Sequence, residues 1–194
     1  MNKPPVGILL AAGQSTRFGS NKLLYPLTGN RPMLLVSAEK LAKVLPASIV
    51  VINEQLLPLT AQLEQLGLRV VMNEQAEQGM GSSIACGVGA SRDASGWLIV
   101  LADMPYLETE TIKHLADKLS HGAGIIAPLY ENKSGDKQRG HPVGFNQCFK
   151  EELLALDKDT GARQIIQNHQ SQFELLAVDD AGVIMDVDHT GDLR

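Results

Sequence analysis

Residues suited to binding anions crowd one short stretch, GQSTRFGSNK, which supplies Gly13, Ser15, Thr16, Arg17, Gly19 and Lys22 within ten positions. Glycine lets backbone N–H groups face phosphate oxygens, arginine offers a planar fork and lysine a point charge. Neither GxxxxGK(S/T) nor GxGxxG is present, so the stretch is neither a P-loop nor a dinucleotide fingerprint. By composition it is a phosphate cradle or a surface turn with solvated cations. In LADMP, Asp103 ends an apolar run ahead of a turn set by Pro105. A carboxylate there calls for a cation, or serves as a helix cap or salt-bridge partner. Near the end of the chain DVDHTGD supplies Asp186, Asp188 and Asp192. Alternation would put Asp186 and Asp188 on one strand face, one meeting a metal and the other orienting it; read alone, the cluster is a solvated acidic turn. In EQGMGSSIACGVG, Gly79 and Gly81 permit a tight turn, and Ser82 or Ser83 can cap a helix. RGHPVGF sets Arg139 and His141 beside a short apolar run, with no Ser or Cys partner for a nucleophilic triad.

These residues need a frame, and the hydrophobic pattern describes one. Continuous apolar runs of strand length occur at 6–12, 48–53, 68–73 and 97–103. Helical spacing lies between and beyond them, at 32–44, 55–66, 82–91 and 109–119. The alternation predicts right-handed βαβ crossovers and a mainly parallel sheet covered on both sides. GIIAP (124–128) precedes a polar stretch, YENKSGDKQRG, read as a loop with freedom to move. HPVGF (141–145), FELLAV (173–178) and GVIMDVD (182–188) read as further strands, and 146–156 and 162–169 as helices. Ligands of open sheets gather where strands end, and Gly13, Asn73, Asp103 and Asp188 all fall at such ends.

At 194 residues the chain suits one core, so residues 1–194 are expected to form a single domain. Aromatics at 4% disfavour stacking surfaces for single-stranded nucleic acid, and a net charge of −5 disfavours a phosphate-backbone footprint. Cys86 and Cys148 lie far apart in no metal-like spacing, which points to two reduced thiols. No apolar run approaches bilayer length, so the expectation is a cytoplasmic protein without nucleic-acid or membrane partners.

Together the stretches resemble a known family. LAAGQSTRFGSNK is similar to the signature loop of nucleotidyltransferases that join an NTP to a phosphorylated acceptor and release pyrophosphate. In order, LAAG, NEQAEQGMGSS, LADMP, RGHPVGF, DTGAR and DVDHTGDL resemble the molybdenum cofactor cytidylyltransferase-like branch of the MocA- and MobA-related NTP transferases, over nearly the whole chain. Two places depart from that pattern: DTGAR replaces GDxGAR-like sequences, and His189 interrupts the usual DxDTPxDL ending. The resemblance implies a Rossmann-like three-layer α/β/α sandwich of the nucleotide-diphospho-sugar transferase type. It also implies Mg²⁺-dependent transfer of CMP from CTP to the phosphate of molybdopterin.

By the same resemblance Arg17, Lys22 and Asp103 are catalytic, and Asp103 and Asp188 hold Mg²⁺. Ala11, Ala12, Gly13 and Ser15 bind the triphosphate, while Asn73, Gly81, Ser82 and Ser83 read base and ribose. His141 and Arg163 contact the acceptor. Ala12, where guanylyltransferases read LAGG, points to CTP over GTP. The implied partners are CTP and molybdopterin or molybdenum cofactor as substrates, with a molybdoenzyme or its maturation chaperone beyond them. Other readings keep the fold but use another NTP, such as GTP, or another phosphorylated acceptor. A non-catalytic module that binds or matures the molybdenum cofactor is a further reading. A dinucleotide-binding oxidoreductase rests only on the βα alternation and lacks GxGxxG.

Overall fold

A computed structural model describes residues 4–13, 21–27, 29–157 and 161–192. Strand β1 (Val6–Leu10) is followed by a small hairpin, β2 (Pro26–Leu27) and β3 (Arg31–Pro32), and by helix α1 (Met33–Val44). Then come β4 (Ile49–Ile52), α2 (Thr60–Gln65), β5 (Arg69–Met72), α3 (Met80–Gly89), β6 (Gly96–Leu101) and α4 (Thr109–Ser120). The remainder holds β7 (Ile125–Glu131), β8 (Lys137–Arg139), β9 (Val143–Asn146), α5 (Lys150–Leu154), α6 (Arg163–Asn168) and β10 (Phe173–Val178).

The main sheet runs β10-β7-β9-β6-β1-β4-β5, with β8 paired to β7. β1 pairs in parallel with both β4 and β6, and β4 with β5, while β9 runs antiparallel between β6 and β7. Register sets the site: Leu10 lies opposite both Val51 and Leu101, so the chain leaves β1, β4 and β6 at one level. Side chains of β1 and of the two alanines that follow it alternate between two cores. Leu9 and Ala11 pack with residues of α1, α2 and α4; Ile8, Leu10 and Ala12 pack with residues of α3, α5 and α6. This is the expected Rossmann-like α/β sandwich with a mostly parallel sheet. A Cβ on Gly87 would stand 2.5 Å from Ile8 Cγ2, so α3 lies almost directly on β1.

Three expectations need correction. Residues 182–188 do not form a strand: Ala181–Ile184 is a 3₁₀ turn, and residues 185–188 have no regular structure. The Asp180 carboxylate accepts from Gly182 N at 2.8 Å and winds the turn. Backbone groups beyond it bond to loops rather than to a strand, with Val187 N donating to Asp103 O at 2.9 Å. The polar stretch 130–140 is a paired hairpin, β7 against β8, whose turn Asn132 closes by accepting from Ser134 N and Asp136 N. The helices expected at 55–66 and 146–156 each begin as 3₁₀ turns, Glu54–Leu59 and Gln147–Phe149, headed by Asn53 and Asn146 side chains.

Candidate active site

The chain leaves β1 as Ala11-Ala12-Gly13 along the floor of a cleft of about 490 Å³, whose walls include Gln78, Gly79, Ser83 and Asp103. Ala11 N donates to Val51 O at 2.8 Å, so the sheet takes that amide. Asn53 Nδ2 reaches Ala12 O at 3.1 Å and Gly13 O at 3.5 Å, drawing both carbonyls toward β4. Ala12 is only 1% exposed and its methyl packs in the core beneath the cleft. A Cβ on Gly13 would meet nothing within 4 Å among the described residues. Ser15 and Arg17 lie outside the described residues, as do Asp159 and Thr160 of DTGAR.

Lys22, Asp103 and Asp188 meet although 166 residues separate the first from the last. Lys22 Nζ lies 2.8 Å from Asp103 Oδ2 and 2.7 Å from Asp188 Oδ1. Burial, the largest influence, lowers the lysine pKa, but Asp103 and Asp188 together outweigh it and the net shift is upward. Lys22 is therefore a fixed cation at neutral pH. Asp103 Oδ1 is buried with no hydrogen-bond partner among the described residues.

Several groups that sequence reasoning missed hold this cluster. Ser37 Oγ donates to Ala102 O at 2.8 Å, and Lys40 Nζ to Pro105 O and Leu107 O at 2.6 and 2.8 Å, so α1 grips the loop on both sides of Asp103. Asp180, 4% exposed, accepts from Glu108 N, Thr111 Oγ1 and Gly182 N, which ties the head of α4 to the segment carrying Asp188. Asp192 accepts from Asp188 N and His189 N, and these N–H groups hold its carboxyl below the ordinary range.

The opposite wall begins at Gly79, whose φ of 103° and ψ of −172° suit glycine alone. Ser82 or Ser83 was expected as a helix cap, but Gly79 is the N-cap and both serines lie inside the first turn. Asn73 Nδ2 donates to Ser82 Oγ at 2.9 Å and Ser83 Oγ at 3.0 Å, while its Oδ1 accepts from Gln75 N. Asn73 and Ser82 thus brace the start of α3, and of the two serines Ser83 lines the cleft. Gly81 is buried in the same turn.

His141 and Arg163 come together in a second cavity of about 210 Å³, with Arg139 at its polar side and Ile84 and Phe145 among its apolar walls. Met80 lines both spaces, so the two cavities adjoin. His141 Nδ1 is buried without a partner among the described residues, and burial first, then Arg139, hold the ring pKa below its usual value, against the pull of Asp103 and Asp186.

Among the described residues no group of three or more His, Cys, Asp or Glu side chains could hold a metal. Two carboxylates suffice where substrate phosphates complete the oxygen shell of Mg²⁺, and the orphaned Asp103 oxygen supplies a hard donor. The residues present fit such an ion.

The fold and these loops define an α/β protein whose site gathers at the carboxyl ends of parallel strands. Residues 7–173 match the MobA-like NTP transferase domain, and the chain belongs to that family. It is 30% identical to nicotine blue oxidoreductase of Paenarthrobacter nicotinovorans, over 94% of this chain and 91% of the relative. It is 32% identical to a probable molybdenum cofactor guanylyltransferase of Thermococcus gammatolerans, over 76% of this chain and 73% of the relative. The solved Rv0371c homolog of Mycobacterium sp. strain JC1 superposes with a TM-score of 0.83 at 26% identity, covering 99% of this chain and 94% of that one. No described helix is long and apolar enough to cross a membrane.

Proposed function

We propose that this chain is a Mg²⁺-dependent nucleotidyltransferase, one domain that transfers CMP from CTP to the phosphate of molybdopterin and releases pyrophosphate. The observation that carries the reading is the Lys22, Asp103 and Asp188 cluster, whose Asp103 lines a cleft floored by Ala12 and Gly13. In the reaction an acceptor phosphate oxygen bonds to the α-phosphorus. The bond from that phosphorus to the bridging oxygen breaks, and its electron pair leaves with pyrophosphate. The acceptor is already an oxyanion at neutral pH, so no general base is required. The chain's work is positioning and charge neutralisation.

The amides of Ala12 and Gly13, with Ser15, Arg17 and Lys22, bind the triphosphate. Ala11 shapes the loop, since its own amide is in the sheet. Ser83, braced by Asn73 and Ser82 on the turn through Gly81, faces base and ribose. Ala12 stands where guanylyltransferases carry a glycine (LAGG), and this substitution beneath the cleft floor supports CTP over GTP. Asp103 and Asp188 would hold Mg²⁺, which when bound offsets repulsion between the α-phosphate and the acceptor phosphate. His141, neutral and buried, and Arg163 face the acceptor in the adjoining cavity. A molybdoenzyme or its maturation chaperone would receive the product.

A second reading substitutes GTP, favoured by the name of the Thermococcus relative. Pyrophosphate release from each of the four NTPs, with and without molybdopterin, separates the two. The expected result is release from CTP that requires the pterin and disappears in Asp103→Ala and Lys22→Ala. Release from GTP alone would transfer the assignment to the second reading, and nucleotide binding without release would make the chain a binding module.

A further inference from the structure

The Asp103 and Asp188 pair already holds a cation, and that cation belongs to the chain. Lys22 Nζ sits within 2.8 Å of a carboxylate oxygen from each aspartate, and its side chain is only 14% exposed. The backbone beneath it is anchored: Lys22–Leu24 forms a 3₁₀ turn headed by Asn21, whose Oδ1 accepts from Leu23 N and whose Nδ2 donates to Gln55. A flexible four-carbon stem therefore lets the ammonium swing about a fixed base. A divalent ion seated between the same oxygens would meet the ammonium as a like charge at close range, in a partly dry site where repulsion is strong. The two cations exclude each other. The phosphates of a nucleotide entering over Gly13 are the one anionic alternative that the proposed chemistry brings to this ammonium.

We propose that Lys22 is a displaceable internal counter-ion. It bars a bare divalent metal from the Asp103 and Asp188 pair and swings to the phosphates when a nucleotide arrives, so metal and nucleotide enter together and metal does not bind first. This rests on the reading of Asp103 and Asp188 as the metal-holding pair and adds the order of binding. Reciprocity follows, because a group that opposes metal and attracts phosphate couples the two sites.

The probe is Mn²⁺ alone, read as loss of the free-ion electron paramagnetic resonance signal and as a shift in thermal unfolding. Wild-type protein is expected to bind weakly. Lys22→Met is expected to bind at least about tenfold more tightly, within the usual range of couplings, and to gain thermal stability from Mn²⁺. Lys22→Arg, which keeps the cation, is expected to remain as weak as wild type, and Asp103→Asn added to Lys22→Met should erase the gain. If Lys22→Met binds no more tightly than wild type while Asp103→Asn still weakens binding, the counter-ion role is overturned and the metal pair stands. If binding ignores Asp103→Asn in every form, the metal pair itself is wrong and both readings fall. The swing has its own readout in the ¹⁵N resonance of Lys22 Nζ, which should move when CTP is added without metal; an unmoved resonance contradicts it.

Discussion

At Asp103 one carboxylate oxygen is buried without a partner among the described residues while the other is held by Lys22. Replacing it by asparagine keeps the shape and removes the charge. Asp103→Asn is expected to lose pyrophosphate release by on the order of 10²-fold or more, with an unchanged far-ultraviolet circular dichroism spectrum; a loss of only a few fold would remove Asp103 from the reaction. His141 makes a prediction about pH. Its folded pKa lies below the ordinary 6.5, so between those two values the unfolded chain binds more protons than the folded one. Stability therefore falls as pH drops from 6.5 through the folded value. The urea midpoint should fall more between about pH 7.5 and about pH 5.5 for wild type than for His141→Gln, and equal falls would contradict the burial argument. Lys22, Asp103 and Asp188 were legible because each stands in a motif at a strand or chain end. Lys40 and Asn53 were not, since Lys40 binds carbonyls 65 and 67 residues away and nothing in its helix marks it.

Elements place these residues, and two of them depend on a single local device. Asp180 joins the head of α4 to the turn at Ala181–Ile184 through three accepted hydrogen bonds. Asp180→Ala strands those donors, and chemical denaturation is expected to show a loss of about 2–4 kcal/mol. Lost activity should accompany it, because the same segment carries Asp188; full stability would mean that water replaces the carboxylate. Gly79 opens α3 in a backbone region closed to other residues, so Gly79→Ala is expected to cost about 1–3 kcal/mol and to weaken nucleotide binding, measured by calorimetry. The apolar runs identified β1, β4 and β6 because a strand buried on both faces leaves an unbroken signature; β5 was found by its apolar run although it is the half-exposed edge of the sheet. GVIMDVD carried the same signature and was misread as a strand. Its burial comes from packing across loops, with Gly182 against the Tyr106 backbone, and pattern alone does not distinguish that from a sheet. Either serine of α3 looked like a cap, but the partner that holds both, Asn73, comes from the loop just after β5.

Over the whole molecule, one sheet with a core on each face brings four strand ends to a common edge, and this much followed from the βα alternation. The second cavity did not follow, because Ile84, Phe145, His141 and Arg163 converge from different elements. The named relatives span an oxidoreductase and a guanylyltransferase, so the family alone does not select the chemistry. The site must select it. CTP carrying a radioactive α-phosphorus tests this directly when incubated with molybdopterin, Mg²⁺ and the protein, followed by chromatography of the pterin. The account predicts label in the pterin product, in amounts equal to the pyrophosphate released, and none with Asp103→Ala. Label that stays in CTP, or that appears only as free CMP, would contradict transfer at this site.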